Sequence, residues 1–216
     1  MGKLNMGILG GFTGTVGTVI GSGNRKGDDL IRVKSKKPRN SNSEGQVNQR
    51  TKFGLVTAFM QAINFILKFS FKVVSGDTMS SYNYACQYAL KNAITGEAPD
   101  FELDYSAVLI SDGDLSLVTG ATASLVDNKA MYQWNDNTGN CVGGPTDKVV
   151  LLVYNVDKYE VSYSMGEFTR AAKGGSVPLP YHVAGDKLLF YLFLQSATDS
   201  TIVSTSVLAG SAIIPE

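Results

Sequence analysis

Apolar residues recur every three or four positions between residues 53 and 67, then at every second position after residue 99, so the chain reads as helical first and strand-like afterwards. Ser43-Glu44-Gly45-Gln46 has capping-box spacing, with Ser43 as N-cap and Gln46 at the third helical position. A helix over about 44–72 follows. Phe53, Val56, Met60, Ile63 and Leu67 draw one stripe along it, and Leu55, Phe59, Ile66 and Phe69 widen the stripe to most of the surface. A helix apolar almost all round is buried on several sides or lies against a partner. Gln61, Asn64 and Lys68 interrupt its apolar stretch, so no transmembrane helix is expected. A second helix is predicted over 79–94, with Tyr82, Ala85, Ala89 and Ala93 on a close-packed face and Gly96 and Pro99 past its end. Together the two make a helical hairpin.

After Pro99, Phe101, Leu103 and Tyr105 alternate with Asp100, Glu102 and Asp104. Short apolar runs follow at 107–111, 115–119, 121–126, 130–135, 148–155, 159–164, 187–196 and 201–208. Turn residues separate them, among them Asp112-Gly113, Asp127-Asn128, Asp157-Lys158 and Lys173-Gly174-Gly175. Strands at this spacing predict a sandwich or small barrel. In 187–196, Phe190, Leu192 and Leu194 alternate with Leu189, Tyr191 and Phe193, the pattern of a central strand covered on both faces.

The first 23 residues carry glycines at 2, 7, 10, 11, 14, 17, 21 and 23, with Leu, Ile, Phe, Val and Thr between them. The stretch is too short and too glycine-rich for a spanning helix, and glycine opposes any helix by about 1 kcal/mol per residue. Its β-branched residues suit strands. An extended arm or tight hairpins packed against another surface is expected. Residues 24–43 read as a polar, basic loop with a short strand at Leu30–Val33, ended by Pro38 and a Ser/Asn cluster. The expected fold class is therefore α+β: a Gly-rich N-terminal arm and helical hairpin over 1–99, then an immunoglobulin-like antiparallel β-sandwich over 100–216.

Charge changes this picture. The net charge is zero, from 19 basic and 19 acidic residues, but residues 1–75 hold 12 Lys/Arg and 3 acids (+9) and residues 76–216 hold 7 and 16 (−9). Such a split attracts a polyanion to one end or pairs copies head to tail. Arg25, Lys26, Arg32, Lys34, Lys36, Lys37 and Arg39 are the candidate polyanion contacts. No aromatic residue lies among them to stack a base. The arm and helix also hold more apolar surface than a small N-terminal domain can bury. Phe12, Val16, Val19 and Ile20 of the arm and Phe59, Ile63 and Ile66 of the helix are thus candidate assembly contacts, in a homo-oligomer.

No catalytic set emerges. His182 is the one histidine, with no nucleophile placed beside it. Cys86 and Cys141 form no CxxC pair, and two cysteines with one histidine do not make a zinc site. The segment Gly21 to Gly27 is one residue too long for the dinucleotide fingerprint, and no phosphate-binding GxxxxGK[ST] loop exists. The acids at 100, 102, 104, 112 and 114 and the oxygen-rich Asn135–Asn140 loop do not match the twelve-residue calcium loop and read as turn chemistry. The expectation is a protein that is not an enzyme, with no cofactor, metal or small-molecule substrate. No signal-peptide pattern opens the sequence, so cytoplasmic synthesis is expected, followed by assembly in a virion or outside the cell.

Two resemblances add to this reading. Met131-Tyr132-Gln133-Trp134 before a turn, the aromatic run Leu188 to Phe193 and the small-residue run Ile202 to Leu208 resemble the core Trp and last two strands of fibronectin type III sandwiches, over about 115–214. Nearly the whole chain is similar to a family of Bacteroidota proteins of unknown function. That resemblance rests on the opening Met-Gly-Lys-Leu-Asn, the glycine-spaced run 7–21, Ile31-Arg32, Gln49-Arg50 with Lys52-Phe53, Lys91-Asn92-Ala93-Ile94 with Gly96, Pro99-Asp100-Phe101, Asp104-Tyr105 and 147–155. The chain departs from it at Asn24-Arg25-Lys26-Gly27, where relatives tend to carry a Trp-Lys-Gly-like step. The resemblance to that family implies no activity. The functional expectation is a non-enzymatic structural or self-assembling protein, a virion or mobile-element component or a surface filament subunit. The alternatives are a nucleic-acid-binding accessory protein using 25–39, or a glycan- or protein-binding sandwich using loops 135–146 and 165–182.

Overall fold

The computed structural model describes residues 3–4, 11–23, 29–34, 42–72 and 79–215. The chain divides into two compact units, 1–46 and 47–216. In the first, β1 (Lys3–Leu4), β2 (Phe12–Val16), β3 (Val19–Gly23) and β4 (Asp29–Val33) form an antiparallel sheet in chain order. Within the described residues β2 and β3 form a hairpin, and β4 is the short strand expected at 30–33. Gly17, at φ +59°, supplies the left-handed step of the β2–β3 turn. At Gly21 a Cβ would collide with the Phe12 carbonyl, so the two strands meet there only because glycine is present.

The second unit contains three helices among its described residues. These are α1 (Glu44–Ala62, whose first residues belong to the preceding unit), α2 (Asn64–Ser70) and α3 (Ser81–Asn92). α1 starts where the capping-box spacing places it. α3 is N-capped by Ser80, whose Oγ accepts from the Asn83 N–H at 3.2 Å. The single helix expected over 44–72 is instead two segments bent by 84° at Ile63. The cause is the surface beneath it. A straight helix of that length runs about 40 Å, whereas strands of eight or nine residues run about 30 Å. The bend keeps Val56, Phe59 and Met60 of α1 and Ile66 and Leu67 of α2 buried in one core, with Ile63 wholly enclosed between them. No single described helix is long and apolar enough to cross a membrane.

The remaining strands are β5 (Ile94–Thr95), β6 (Glu102–Leu103), β7 (Thr119–Val126), β8 (Lys129–Asn135), β9 (Lys148–Asn155), β10 (Glu160–Thr169), β11 (Gly174–Pro178), β12 (Lys187–Gln195) and β13 (Val207–Ile213). β5 pairs with β6, a four-stranded sheet runs β10-β9-β12-β13, and a three-stranded sheet runs β11-β8-β7, with every ladder antiparallel. Alternation along β9 and β12 sorts their side chains. Val149, Leu151, Val153, Leu188, Phe190, Leu192 and Leu194 pack with Tyr132 and Trp134 of the three-stranded sheet. Val150, Leu152, Tyr154, Leu189, Tyr191 and Phe193 pack with the helices. The order of layers is thus helices, four strands, three strands. The two-faced strand expected at 187–196 is β12, and the unit is an α+β fold of antiparallel sheets.

Some expectations are corrected. The break expected at residue 99 does not divide the chain, because the helices and β9–β12 share one core. The runs 107–111 and 115–119 are not strands. Ser70 Oγ donates to the Ile110 carbonyl at 2.7 Å and the Ile110 N–H donates to Ser206 Oγ at 2.9 Å, so side chains take up that backbone. Gly174-Gly175, read as a turn, opens β11; a Cβ at Gly175 would lie 2.8 Å from the Phe168 ring. The last strand is displaced to 207–213 because the Ile202 N–H donates to the Asp199 carbonyl in a turn and the Ile202 carbonyl accepts from the Ser196 N–H. The Asp127-Asn128 turn behaves as read, both residues having positive φ (47° and 60°) in a two-residue hairpin.

Two outcomes follow. Leu192→Ala removes a side chain enclosed between the sheets and should lower the unfolding free energy by about 2–5 kcal/mol, measured by urea denaturation. Asp186 accepts from Asn155 Nδ2 at 2.8 Å and from the Val183 N–H at 3.0 Å, and these bonds hold its carboxyl below its ordinary value. The depressed value means its stabilisation is complete above about pH 4 and disappears as pH falls through the folded pKa. An acid-unfolding curve of Asp186→Asn should therefore lose part of its slope below pH 4.

Candidate functional site

Three segments distant in sequence meet at one edge of the helical layer. α1 brings Gly54, Leu55, Ala58 and Phe59, the β6 segment brings Phe101 to Leu103 and Tyr105, and the sheet ends bring Tyr154, Tyr159 and Lys187. They enclose a cleft of about 520 Å³. Its walls are fixed by ring contacts. Phe59 meets Tyr154 edge-on at 4.8 Å and Tyr105 at 5.8 Å. The Tyr105 carbonyl accepts from the Tyr191 hydroxyl at 2.7 Å. Lys52 Nζ sits 4.4 Å from the centre of the Phe101 ring, and Lys187 Nζ lies 6.0 Å from that of Tyr105.

Polarity in the cleft is set by tyrosines. Tyr154 is 1% exposed, and its hydroxyl has no hydrogen-bond partner among the described residues. The other two fully buried tyrosines are satisfied, Tyr132 by the Leu152 carbonyl and Tyr191 by that of Tyr105. Burial raises the Tyr154 hydroxyl above the ordinary tyrosine value, with Tyr105, Tyr159 and Asp157 adding to it. Burial, then Tyr159 and Asp157, raises Tyr105 as well. Both are protonated donors at neutral pH. Tyr159 holds φ +57°, a left-handed conformation that costs an L-residue about 1–2 kcal/mol. Gly54 is a glycine inside a helix, and nothing lies within 4 Å of where its Cβ would be. A second hollow, of about 460 Å³, lies on the far side of Glu102, Tyr105 and Lys187 and adds Asp104, Ser106 and Ser211.

A buried ion pair lies elsewhere in this unit. Arg170 Nη2 meets Asp147 Oδ2 at 3.2 Å with the arginine fully enclosed. The guanidinium also donates to Asn137 Oδ1 at 2.6 Å and the Ser116 carbonyl at 2.8 Å, while the Arg170 carbonyl accepts from Trp134 Nε1 at 2.9 Å. Asp147 accepts from the Gly144 N–H at 2.8 Å. One cation therefore ties the 135–146 loop, the start of β9 and the core Trp together. Among the described residues its Nε alone has no partner.

The residues expected to act are placed unevenly. Phe59, Ile63 and Ile66 are not surface contacts: each is enclosed in the core of its own chain, against the sheet that follows. Phe12, Val19 and Ile20 are half-buried in the N-terminal sheet, and Val16 is exposed. Arg32 and Lys34 are exposed on and beside β4; Arg25, Lys26, Lys36, Lys37 and Arg39 lie outside the described residues. The 135–146 loop is tied down by Arg170, and 165–182 is not one loop, because it contains the end of β10, a 3-10 turn and β11. In the oxygen-rich loop, Asp136 accepts from the Thr138 hydroxyl and, at 2.9 Å, from the Thr138 N–H, turn bonds that lower its pKa. No group of three or more His, Cys, Asp or Glu gathers among the described residues. His182 Nδ1 bonds the Pro180 carbonyl at 2.7 Å. Sequence reasoning missed the tyrosine cleft, although Gly54, interrupting a strong helical pattern, is a readable signal for it.

The family model that matches the chain is that of a family of unknown function, DUF6266, over residues 11–210. No curated protein matches it.

Removing Arg170 leaves Asp147 enclosed without its cation. Arg170→Leu should lower stability by about 3–5 kcal/mol in denaturant titration. Gly54→Ala restores helix propensity into open space and should raise it by about 0.5–1 kcal/mol.

Proposed function

We propose that the chain, which belongs to that family, is a non-enzymatic, self-associating structural protein whose N-terminal sheet makes the contacts between copies. One observation carries the reading. β4, the edge of that sheet, leaves Leu30, Ile31 and Val33 exposed at 56%, 66% and 78%. Leu30 and Arg32 fall on one face and Ile31 and Val33 on the other, so apolar side chains stand on both. Strands of two to five residues bury little of their own, and an apolar edge strand is a ready template for another chain. The +9/−9 division of charge adds a salt-dependent attraction between unlike ends. A virion or mobile-element component, or a surface filament subunit, is the kind of assembly such a chain would serve.

The second unit is, in this reading, an immunoglobulin-like sandwich of the fibronectin type III kind with a helical back. Its support is the pairing of β7, β8 and β11 in one sheet and β10, β9, β12 and β13 in the other, with Trp134 buried on the second strand. Such a module displays surfaces and needs no catalytic set.

Light scattering on the full-length protein should show a particle larger than the 23.1 kDa chain, shrinking as salt is raised. Leu30→Ser with Val33→Ser, and separately deletion of residues 1–23, should reduce it to a monomer. A monomer at high concentration and low salt overturns the proposal.

A further inference from the structure

We propose that the tyrosine cleft beneath α1 binds a neutral saccharide, with a sugar ring lying against Tyr105 and Tyr159 and one of its hydroxyls bonded to Tyr154. The inference is independent of self-association, since every residue it uses lies in the second unit.

Three features point to an occupant. The first is the Tyr154 hydroxyl. It belongs to a side chain 1% exposed, lines the cleft, and is unpartnered among the described residues. Its oxygen is not among the fully enclosed polar atoms that lack a partner, so it opens to the cleft, where a ligand hydroxyl can take the bond that water otherwise supplies. The second is Gly54. A helix interior disfavours glycine, yet here its missing side chain keeps the wall of the cleft open, with nothing within 4 Å of a Cβ. The third is Tyr159, held in a left-handed conformation that a ring-bearing residue rarely adopts. Strain of this kind persists where surrounding structure enforces it, and it gathers at ligand sites.

The lining selects the chemistry. Lys52 and Lys187 are offset by Glu102 and Asp157, so no net charge favours an anion or a cation. An alkyl chain would leave the Tyr154 hydroxyl unpaired. A sugar ring presents a C–H face to an aromatic wall and hydroxyls around its rim, which answers both features. A cleft of about 520 Å³ is large enough for more than one sugar unit, and the second hollow beyond Glu102 gives the chain a direction in which to continue.

The test is isothermal titration of the full-length protein with cellohexaose, maltohexaose, laminarihexaose and mannohexaose, beside a heparin hexasaccharide and an aromatic tetrapeptide. At least one neutral hexasaccharide should bind. Gly54→Leu should weaken it at least tenfold by filling the cleft while leaving Tm equal or higher. Tyr159→Gly, which suits the local backbone, should weaken it by removing the ring. Tyr154→Phe should weaken it about two- to tenfold, the loss of one hydrogen bond. Failure of all four neutral sugars to bind, binding that ignores Gly54→Leu, or preference for heparin or the peptide overturns the proposal.

Discussion

Everything in the second unit depends on two adjacent strands having no polar face. Over Val149–Tyr154 and Leu188–Leu194 every residue of β9 and β12 is buried. In register, Phe190 stands opposite Val153 and Tyr191 opposite Leu152. A sheet built this way cannot stop at two layers, since either open face would expose a run of large apolar side chains. The helices must cover one side and the three-stranded sheet the other. The bend at Ile63 follows from the same demand. The covering helix is longer than the strands it covers, and folding it back keeps its apolar residues over the sheet. Each enclosed Leu or Phe contributes roughly 1.5–3 kcal/mol of burial, so the central pair outweighs any local helical preference.

The Arg170–Asp147 pair has a different character. It contributes specificity more than free energy, because desolvating both charges offsets most of their attraction. Its geometry is particular. The cation reaches Asn137 and the Ser116 carbonyl, and the Arg170 backbone holds the Trp134 indole. Gly143 belongs to the same construction, at φ +133°, because a Cβ there would strike Asp147 Oδ2 and the guanidinium. A sheet end held by one buried cation has a single way to close, and the long 135–146 loop is thereby fixed without secondary structure of its own.

How much of this could be read from the sequence varied with the range of the interaction. β12 was legible because its two faces lie within nine residues. The Asp127-Asn128 turn was legible because its signal is two residues long. Phe59, Ile63 and Ile66 looked surplus because the strands that bury them lie some ninety residues or more further along the chain. β11 was hidden because Gly174 and Gly175 are there for a close approach to the Phe168 ring and look like a turn. The tyrosine cleft was illegible as a set, its members being drawn from 54–59, 101–105, 154–159 and 187. Only Gly54 left a local trace, by breaking a helical pattern at an open position.

Glycine separates the two units in kind. In the second unit, glycines answer a neighbour: a Cβ at Gly113 would strike the Val203 carbonyl, one at Gly175 the Phe168 ring and one at Gly210 the Ala123 carbonyl. Each stands where a compact body already exists and a side chain would not fit. In the N-terminal sheet, Gly21 makes one such contact with Phe12, while Gly17 turns the chain in open space. There the glycines shape a thin sheet, and Val16, Leu30, Ile31 and Val33 beside them are exposed. The chain buries Phe and Leu completely in one unit and leaves branched apolar residues exposed on short strands in the other, and the proposed self-association rests on that contrast. In the proposed reading that exposed edge makes the contacts between copies, and the residues lining the tyrosine cleft belong to the other unit.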